Sequence, residues 1–349
     1  MAIYRTIGMM SGTSLDGLDI ALVEFENKQE EWSFKLLKAE SFPYNESISQ
    51  RLKDAENGSA RQLVETDHWF GNCLGELCRD FIEGSDSKPE LVSSHGQTIF
   101  HQPELGYSTQ IGNGYEIRKW MDCPIVYDFR SMDISLGGQG APLVPVGELL
   151  LFQNYSCFLN IGGFANLSTR TENNMEAYDI CPANIILNEY ASLYGKAFDE
   201  NGTLAASGEV NHELLEKLNA LDFYQLKGPK SLGAEWLENN FKSVLEKAEP
   251  VDMLRTLVEH IAIQIAKNLD HVGARRVLCT GGGVYNSFLI EQIRKKTSTE
   301  LVIPEDSIIA FKEAIIFSFL GLLRYLKQNN SLGKVTGAAK DSCGGILLP

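Results

Sequence analysis

This chain predicts an α/β protein of two lobes, and three stretches carry that prediction. Thr6 to Phe25 reads as a β-hairpin, two apolar and β-branched runs around a loop of Ser11, Gly12, Thr13, Ser14, Asp16 and Gly17. Phe158 to Ile161, the turn Gly162-Gly163 and Ala165 to Thr169 form a second hairpin flanked by Asn160 and Asn166. Arg276 to Cys279 is a strand, followed by Thr280, Gly281, Gly282, Gly283 and a helical pattern from Asn286 to Lys295. Two such hairpins and one strand–glycine–helix unit point to a site between two lobes. That layout suits phosphoryl transfer, where catalysis is mainly positioning and charge neutralisation.

The turn chemistry fits an anion. Glycine lets backbone N–H groups come close, and hydroxyls add donors for phosphate oxygens. Asp16 and Asp19 cannot bind phosphate directly, but they can hold a metal ion or its waters beside one. A plain decorated turn is the competing reading. The triple glycine can bring a nucleotide against a helix N-terminus, or it can simply make a tight strand-to-helix turn. There is no G-x-x-x-x-G-K-[ST], and the Gly137 stretch lacks the strand and helix of a dinucleotide fingerprint.

The remaining elements follow from periodicity. Residues 59–83 read as a helix with Leu63, Phe70, Leu74, Leu77 and Phe81 on one face and Gly84 at its end. Leu91 to Ser94 is a short strand running into His95, Gly96, Gln97 and Thr98, and Pro124 to Phe129 is another, closing on Asp128 and Arg130. Gly137 to Pro142 is too glycine-rich for regular structure and reads as a hinge or binding loop. Residues 252–270 form an amphipathic helix, and an apolar helix starts near Ala314.

Several side chains could do chemistry. Asp179 is either a helix cap or turn former, or a general base taking a proton from water or a hydroxyl. Asn184 nearby can orient a ligand by its amide. His95 and His101 fit no metal pair; His95 reads as a hydrogen-bonded loop histidine, with sugar contacts from Gln97 and Thr98 as the sharper alternative. Arg130 is a structural ion pair with Asp128 or a clamp for a carboxylate or phosphate. Lys230 is an exposed loop lysine or a cation beside phosphate. Glu313 reads as a first-turn carboxylate of the apolar helix. His68, His212 and His260 read as surface or helix-face residues.

At 349 residues the chain suffices for two domains, and 44% apolar with 22% charged residues marks it as globular. A formal net charge of −15 disfavours nucleic acid and anionic membrane as partners. The longest apolar stretch, near Ala314 to Leu323, is too short and too broken by Ser318 to span a bilayer. No secretory signal is read. Seven cysteines without a C-x-x-C pair favour reduced thiols and a cytoplasmic location over a disulfide frame or zinc ribbon.

Against these motifs the chain resembles the anhydro-N-acetylmuramic acid kinases. The resemblance begins at Ser11-Gly-Thr-Ser-Leu-Asp-Gly17. It continues through His95-Gly-Gln-Thr-Ile99, Asp128-Phe-Arg130, Gly137-Gly-Gln-Gly-Ala-Pro-Leu-Val-Pro145, Asn160-Ile-Gly-Gly163 and Gly281-Gly-Gly283 to Val335-Thr-Gly337. It implies the two-lobed actin-like (ribonuclease H-like) ATPase fold, each lobe a mixed sheet flanked by helices, with the active site in the cleft. The expected division is 1–131 with 331–349, and 132–330.

The resemblance also implies a reaction. ATP, water and 1,6-anhydro-N-acetylmuramic acid give N-acetylmuramic acid 6-phosphate and ADP. Asp179 matches the base that activates water. Gly12, Thr13, Ser14, Leu15, Asp16, Gly17, Leu18 and Asp19 would face ATP with Mg²⁺ bridging its phosphates. Gly162 and Gly163 would form the second phosphate loop, and Gly281, Gly282 and Gly283 would face adenosine. His95, Gln97, Thr98, Arg130, Asn184 and Glu313 are the expected substrate residues. A homodimer is also suggested.

The chain departs from the family pattern after Asp179. The family usually has Asp-Thr-Gly-Pro-Gly-Asn and a further Asp four residues on; here Ile180, Cys181, Ala183 and Asn188 stand there. Leu232 and Ala234 replace the usual Thr and Arg after Pro229-Lys230-Ser231. If Ile180 and Cys181 crowd the base, a weak or silent nucleotide- or sugar-binding member is the alternative to an active kinase.

Overall fold

The computed structural model describes residues 2–12, 14–29, 31–85, 87–171, 174–226, 230–245 and 249–349; Thr13 and Pro229 lie outside them. Strands β1 (Ala2–Ser11) and β2 (Gly17–Lys28) pair antiparallel with Ser11 opposite Leu18, as the apolar runs around the loop require. β3 (Glu31–Pro43) returns antiparallel to β2. The helix Ala60–Ile82 begins with a capping box in which Ser59 and Gln62 satisfy each other's backbone N–H groups. It lays Phe70, Leu74, Cys78 and Phe81 on Ile7, Met9, Ile20 and Leu22.

β4 (Leu91–Ser94) lies parallel to β1. A small hairpin, β5 (Gln97–Gln102) and β6 (Tyr107–Ile111), follows it. β7 (Ile125–Tyr127) then extends the sheet parallel to β4, and the terminal strand Ile346–Leu348 closes the edge antiparallel to β7.

The chain divides into two units, 1–153 with 311–349, and 154–310. These bounds differ from the sequence expectation of 131/132 and 330/331, because the flanking segments pack within the first unit. Asp133 accepts from the hydroxyls of Ser331 (2.6 Å) and Thr336 (2.7 Å). Lys312 pairs with buried Glu148 at 3.0 Å. Gly147 packs on Ile316, where a Cβ would meet the isoleucine at 2.6 Å. The helix Asp306–Tyr325 meets β1 backbone to backbone. Gly8 has no room for a side chain against Ala314 and Ser318, and Thr6 Oγ1 lies 2.6 Å from Ser318 Oγ.

The second unit repeats the plan. β8 (Cys157–Ile161), β9 (Phe164–Thr171) and β10 (Asn174–Pro182) form an antiparallel meander. β11 (Arg276–Thr280) and β12 (Glu300–Val302) add parallel strands beyond β8. Both sheets therefore run third, second, first, fourth, fifth: β3-β2-β1-β4-β7 and β10-β9-β8-β11-β12. Each unit is thus a mixed sheet of this order flanked by helices, as the sequence led us to expect of each lobe. The helix Pro250–His271 fills the second core with Leu254, Leu257, Val258, Ile261 and Ile265. No helix of the described residues is long and apolar enough to cross a membrane.

Candidate active site

Strand direction gathers the candidates. In an open sheet with parallel strands, ligands sit beyond the carboxyl ends of those strands. In the first unit β1, β3, β4 and β7 run the same way, so Gly12, Tyr44, His95 and Asp128 emerge from one sheet edge. In the second unit β8, β10, β11 and β12 do, so Gly162, Asp179 and Gly281 share the corresponding edge.

The first-unit loop is wired from within. Leu15 sits at φ 56°, an uncommon left-handed conformation for leucine, with its N–H donating to the Gly12 carbonyl at 3.2 Å and its own carbonyl accepting from Ser49 Oγ at 3.0 Å. Ser14 Oγ donates to Asp16 (2.8 Å) and Ser41 Oγ to Asp19 (2.5 Å). Burial pushes the Asp19 carboxyl up, Ser41 pulls it down and Asp16 pushes it up again. Leu18 is core, buried under the strand. Among the described residues no group of three or more His, Cys, Asp or Glu could hold a metal ion. The two carboxylates suit Mg²⁺ only in company with waters and phosphate oxygens, which is its usual donor set.

Two of the loop glycines have different reasons. A Cβ on Gly17 would come within 2.7 Å of the Phe42 carbonyl oxygen, so β2 and β3 require glycine there. A Cβ on Gly12 would meet only Ser14 Oγ, at 3.5 Å. The fold leaves that position open, as a backbone approached by a ligand would be. The second unit repeats the contrast. Gly281 (φ 85°) and Gly283 are pressed against Asn160 and Ile161, whereas nothing comes nearer than 3.3 Å to a Cβ on Gly162, 3.7 Å on Gly163 or 3.8 Å on Gly282.

Behind the first loop runs a hydrogen-bond chain. Tyr44 OH donates to Ser11 Oγ (2.8 Å), which donates to Gln97 Oε1 (2.6 Å), and Gln97 Nε2 donates to the Thr98 carbonyl (3.3 Å). Thr98 Oγ1 accepts from Gln110 Nε2 at 3.2 Å, while Gln110 Oε1 is buried without a hydrogen-bond partner among the described residues. His95 is buried with Nδ1 2.9 Å from the Gly96 carbonyl. A carbonyl cannot donate, so Nδ1 carries the proton and Nε2 accepts from Arg130 at 2.8 Å. Burial, then the neighbouring guanidinium, push the His95 pKa down to about 3, so the ring is neutral.

Arg130 also donates to the Gly140 carbonyl at 2.6 Å, and burial lowers its pKa to about 10 against the pull of Glu313 and Asp133. The expected ion pair with Asp128 does not form, because Asp128 caps Ser131 instead (2.6 Å to its Oγ). The Gly137–Pro142 stretch is clamped: Gly140 N–H donates to Asp133 Oδ2 at 2.8 Å, and Gln139 N–H to the Thr336 carbonyl at 2.7 Å. Glu313 is not in a first turn, since its helix starts at Asp306. Its side chain is solvent-exposed, so water tempers the upward push that protein crowding gives its carboxyl, which Lys312 and Arg130 oppose.

In the second unit Asp179 lies near the end of β10, opposite Asn166, and caps no helix. It is half-buried, and burial pushes its carboxyl up while the Leu232 N–H pulls it down. Ile180, Cys181 and Ala183 are wholly buried in the core, where their side chains complete the packing around β10. Asn188 is exposed on the helix Asn184–Ser192. The first N–H groups of that helix are already taken: Ala183 and Ile185 donate to the Gly163 carbonyl and Asn184 to that of Gly162. The Asn184 amide donates to the Ile161 carbonyl at 3.2 Å.

The triple glycine leads into a 3₁₀ turn (Gly282–Tyr285), so the next helix, Ser287–Arg294, starts later and is capped by Asn286. Lys230 is no free loop lysine, because its ammonium donates to the Phe223 carbonyl at 3.0 Å. His260 is no surface residue. It is fully buried between Asn219 Oδ1 and Tyr224 OH, each 2.9 Å away.

Sequence reasoning missed Tyr44, Ser41 and Leu232. The first two become visible only when the β2–β3 register is known, and Leu232 acts through its backbone, which no residue type announces.

The chain matches the family model described as anhydro-N-acetylmuramic acid kinase over residues 4–349. An anhydro-N-acetylmuramic acid kinase of Photobacterium profundum is 33% identical over 383 residues, covering 100% of each chain. One of Bacillus cereus is 33% identical, covering 98% of each. Among solved structures, a ROK family glucokinase from Streptomyces griseus in complex with glucose and AMPPNP has a TM-score of 0.43 and 11% identity, over 91% of this chain and 99% of that one. With a family model spanning nearly all of its length and full-length relatives at one-third identity, the chain belongs to the anhydro-N-acetylmuramic acid kinase family.

Proposed function

We propose that this protein is an ATP-dependent kinase that opens 1,6-anhydro-N-acetylmuramic acid with water and places the γ-phosphoryl group on O6, giving N-acetylmuramic acid 6-phosphate and ADP. Family membership over residues 4–349 carries the reading. Asp179, half-buried at the carboxyl end of β10, is the base that takes a proton from the water attacking the anomeric carbon. The bond from that carbon to O6 breaks, and O6 takes the phosphoryl group.

The loop that begins at Gly12 holds the phosphates, with Gly12, Gly162 and Gly163 leaving the backbone open to them. Gly281 to Gly283 serve the adenosine. Asp16 and Asp19 are the residues to hold Mg²⁺, which when bound neutralises phosphate charge. Arg130, kept cationic and aimed by neutral His95 and the Gly140 carbonyl, supplies fixed positive charge. Gln97, Thr98, Asn184 and Glu313 serve the sugar. Ile180 and Cys181 pack into the core of the second unit beside Asp179. Seven cysteines with no disulfide among the described residues fit a cytoplasmic enzyme of cell-wall amino sugar recycling.

The test is incubation with ATP and 1,6-anhydro-N-acetylmuramic acid, with the product identified by mass spectrometry. Formation of the sugar 6-phosphate with equimolar ADP is expected. Well-folded protein that forms no phosphorylated sugar would refute the assignment.

A further inference from the structure

Asp179 has a companion segment that the expected mechanism does not mention. Residues 230–232 run beside it and make two backbone hydrogen bonds. The Asp179 N–H donates to the Lys230 carbonyl at 2.9 Å, and the Leu232 N–H donates to Asp179 Oδ2 at 2.7 Å. The segment is held independently of the carboxylate. The Lys230 ammonium donates to the carbonyls of Phe223 (3.0 Å) and Leu226 (3.4 Å) and lies 4.5 Å from the Phe223 ring centre. Phe223 is buried and packs on Trp236 and Tyr224, and Tyr224 is tied to buried His260. Asp179 Oδ1 has no hydrogen bond among the described residues.

We propose that residues 230–232 form a strap that positions the base, the Leu232 N–H fixing one carboxylate oxygen of Asp179 so that the other is presented to the attacking water. The proposal rests on the reading of Asp179 as the base. A carboxylate rotates readily about its last bond, and a single short N–H contact from an anchored segment sets its plane. The same contact favours the ionised form, which a base must be, against the half-burial that opposes it. The groups near this carboxyl within the second unit are Cys181 on β10, uncharged Asn166 across on β9, and Lys230 on the strap, its ammonium turned to carbonyls. The device needs a backbone N–H and no particular side chain, which is why leucine serves at 232. Leu232 is a positioning residue, not a catalytic one.

The experiment removes the N–H alone. Leu232→Pro, and in parallel an ester in place of the 231–232 amide made by incorporating leucic acid at 232, both delete the donor; the ester keeps the side chain and avoids any folding cost of proline. In both, the acid limb of the kcat/KM–pH profile is expected to move to higher pH. Below that limb kcat/KM should fall about 10- to 100-fold, with KM for ATP unmoved. Leu232→Ala, which keeps the N–H, should move the limb less than either. An ester variant with wild-type rate and acid limb would overturn the strap. Asp179→Asn with wild-type turnover would instead overturn the base itself, so the two failures are distinguishable.

Discussion

The two sheets share strand order and direction, yet their working edges are built differently. The first unit's edge is wired by side chains: Ser14 to Asp16, Ser41 to Asp19, Tyr44 through Ser11 to Gln97, and Arg130 between His95 and Gly140. The second unit's edge is sparse: open glycines at 162, 163 and 282, and Asp179 held by one backbone N–H. The scaffold recurs in the two units and the chemistry does not. A preorganised charged edge suits holding phosphates and a sugar, where electrostatics act through fixed dipoles. A carboxylate with one bound and one unbonded oxygen suits proton abstraction.

Each unit also buries one neutral histidine, and acid should expose both. His95 and His260 are each pushed down to about 3, chiefly by burial, from an ordinary value near 6.5. The unfolded chain therefore binds more protons than the native one between those values. Stability is full above about pH 6.5 and falls as pH drops toward 3, by several kcal/mol if the whole window is crossed. Urea unfolding across pH 4–7 checks this, and His260→Gln should flatten the slope. An unchanged slope would mean that the second unit's histidine is not buried neutral.

Next in size is Asp133, which ties the first unit's Gly137–Pro142 loop to the tail. Its oxygens take Ser331, Thr336 and the Gly140 N–H while the residue is wholly buried. Asp133→Asn turns an amide group toward at least one of these donors and should cost about 2–4 kcal/mol, read as a lowered Tm. If stability is unchanged, the loop does not depend on this knot.

The glycines sharpen the comparison at smaller scale. Gly17→Ala forces a Cβ against the Phe42 carbonyl oxygen and should destabilise by about 1–3 kcal/mol. Gly12→Ala should stay within about 0.5 kcal/mol of wild type and raise KM for ATP instead. Calorimetry with ATP kinetics separates the two; equal Tm losses would remove the evidence that Gly12 is reserved for a ligand.

Much of this was legible in the sequence because its patterns are strong. The loop hairpin, the strand Leu91–Ser94 and the helix after Ser59 all stand where alternation, turn residues and the apolar helix face put them. Glu313 was misplaced because the apolar run from Ala314 masks the helix start that Pro304 and Asp306 signal. His260 was missed because its helix is buried on more than its apolar face, so a polar residue on it need not face water. The unit bounds depend on Asp133 and Glu148 finding partners about 160 to 200 residues away, which no local pattern encodes. Of the candidate site, the glycine turns stand out by residue type and Asp179 carried two readings, a cap or a base, whereas the Leu232 strap is a backbone contact between segments.

The measurement that bears most directly on the central claim is single-turnover phosphoryl transfer from ATP to 1,6-anhydro-N-acetylmuramic acid by the wild type and Asp179→Asn. An asparagine oxygen can still accept from the Leu232 N–H, so the fold should survive and both proteins should bind ATP. Sugar 6-phosphate from the wild type and a loss of at least about 10²-fold in the variant is the predicted result. Equal rates in the two proteins would contradict the account, because the base would then lie elsewhere.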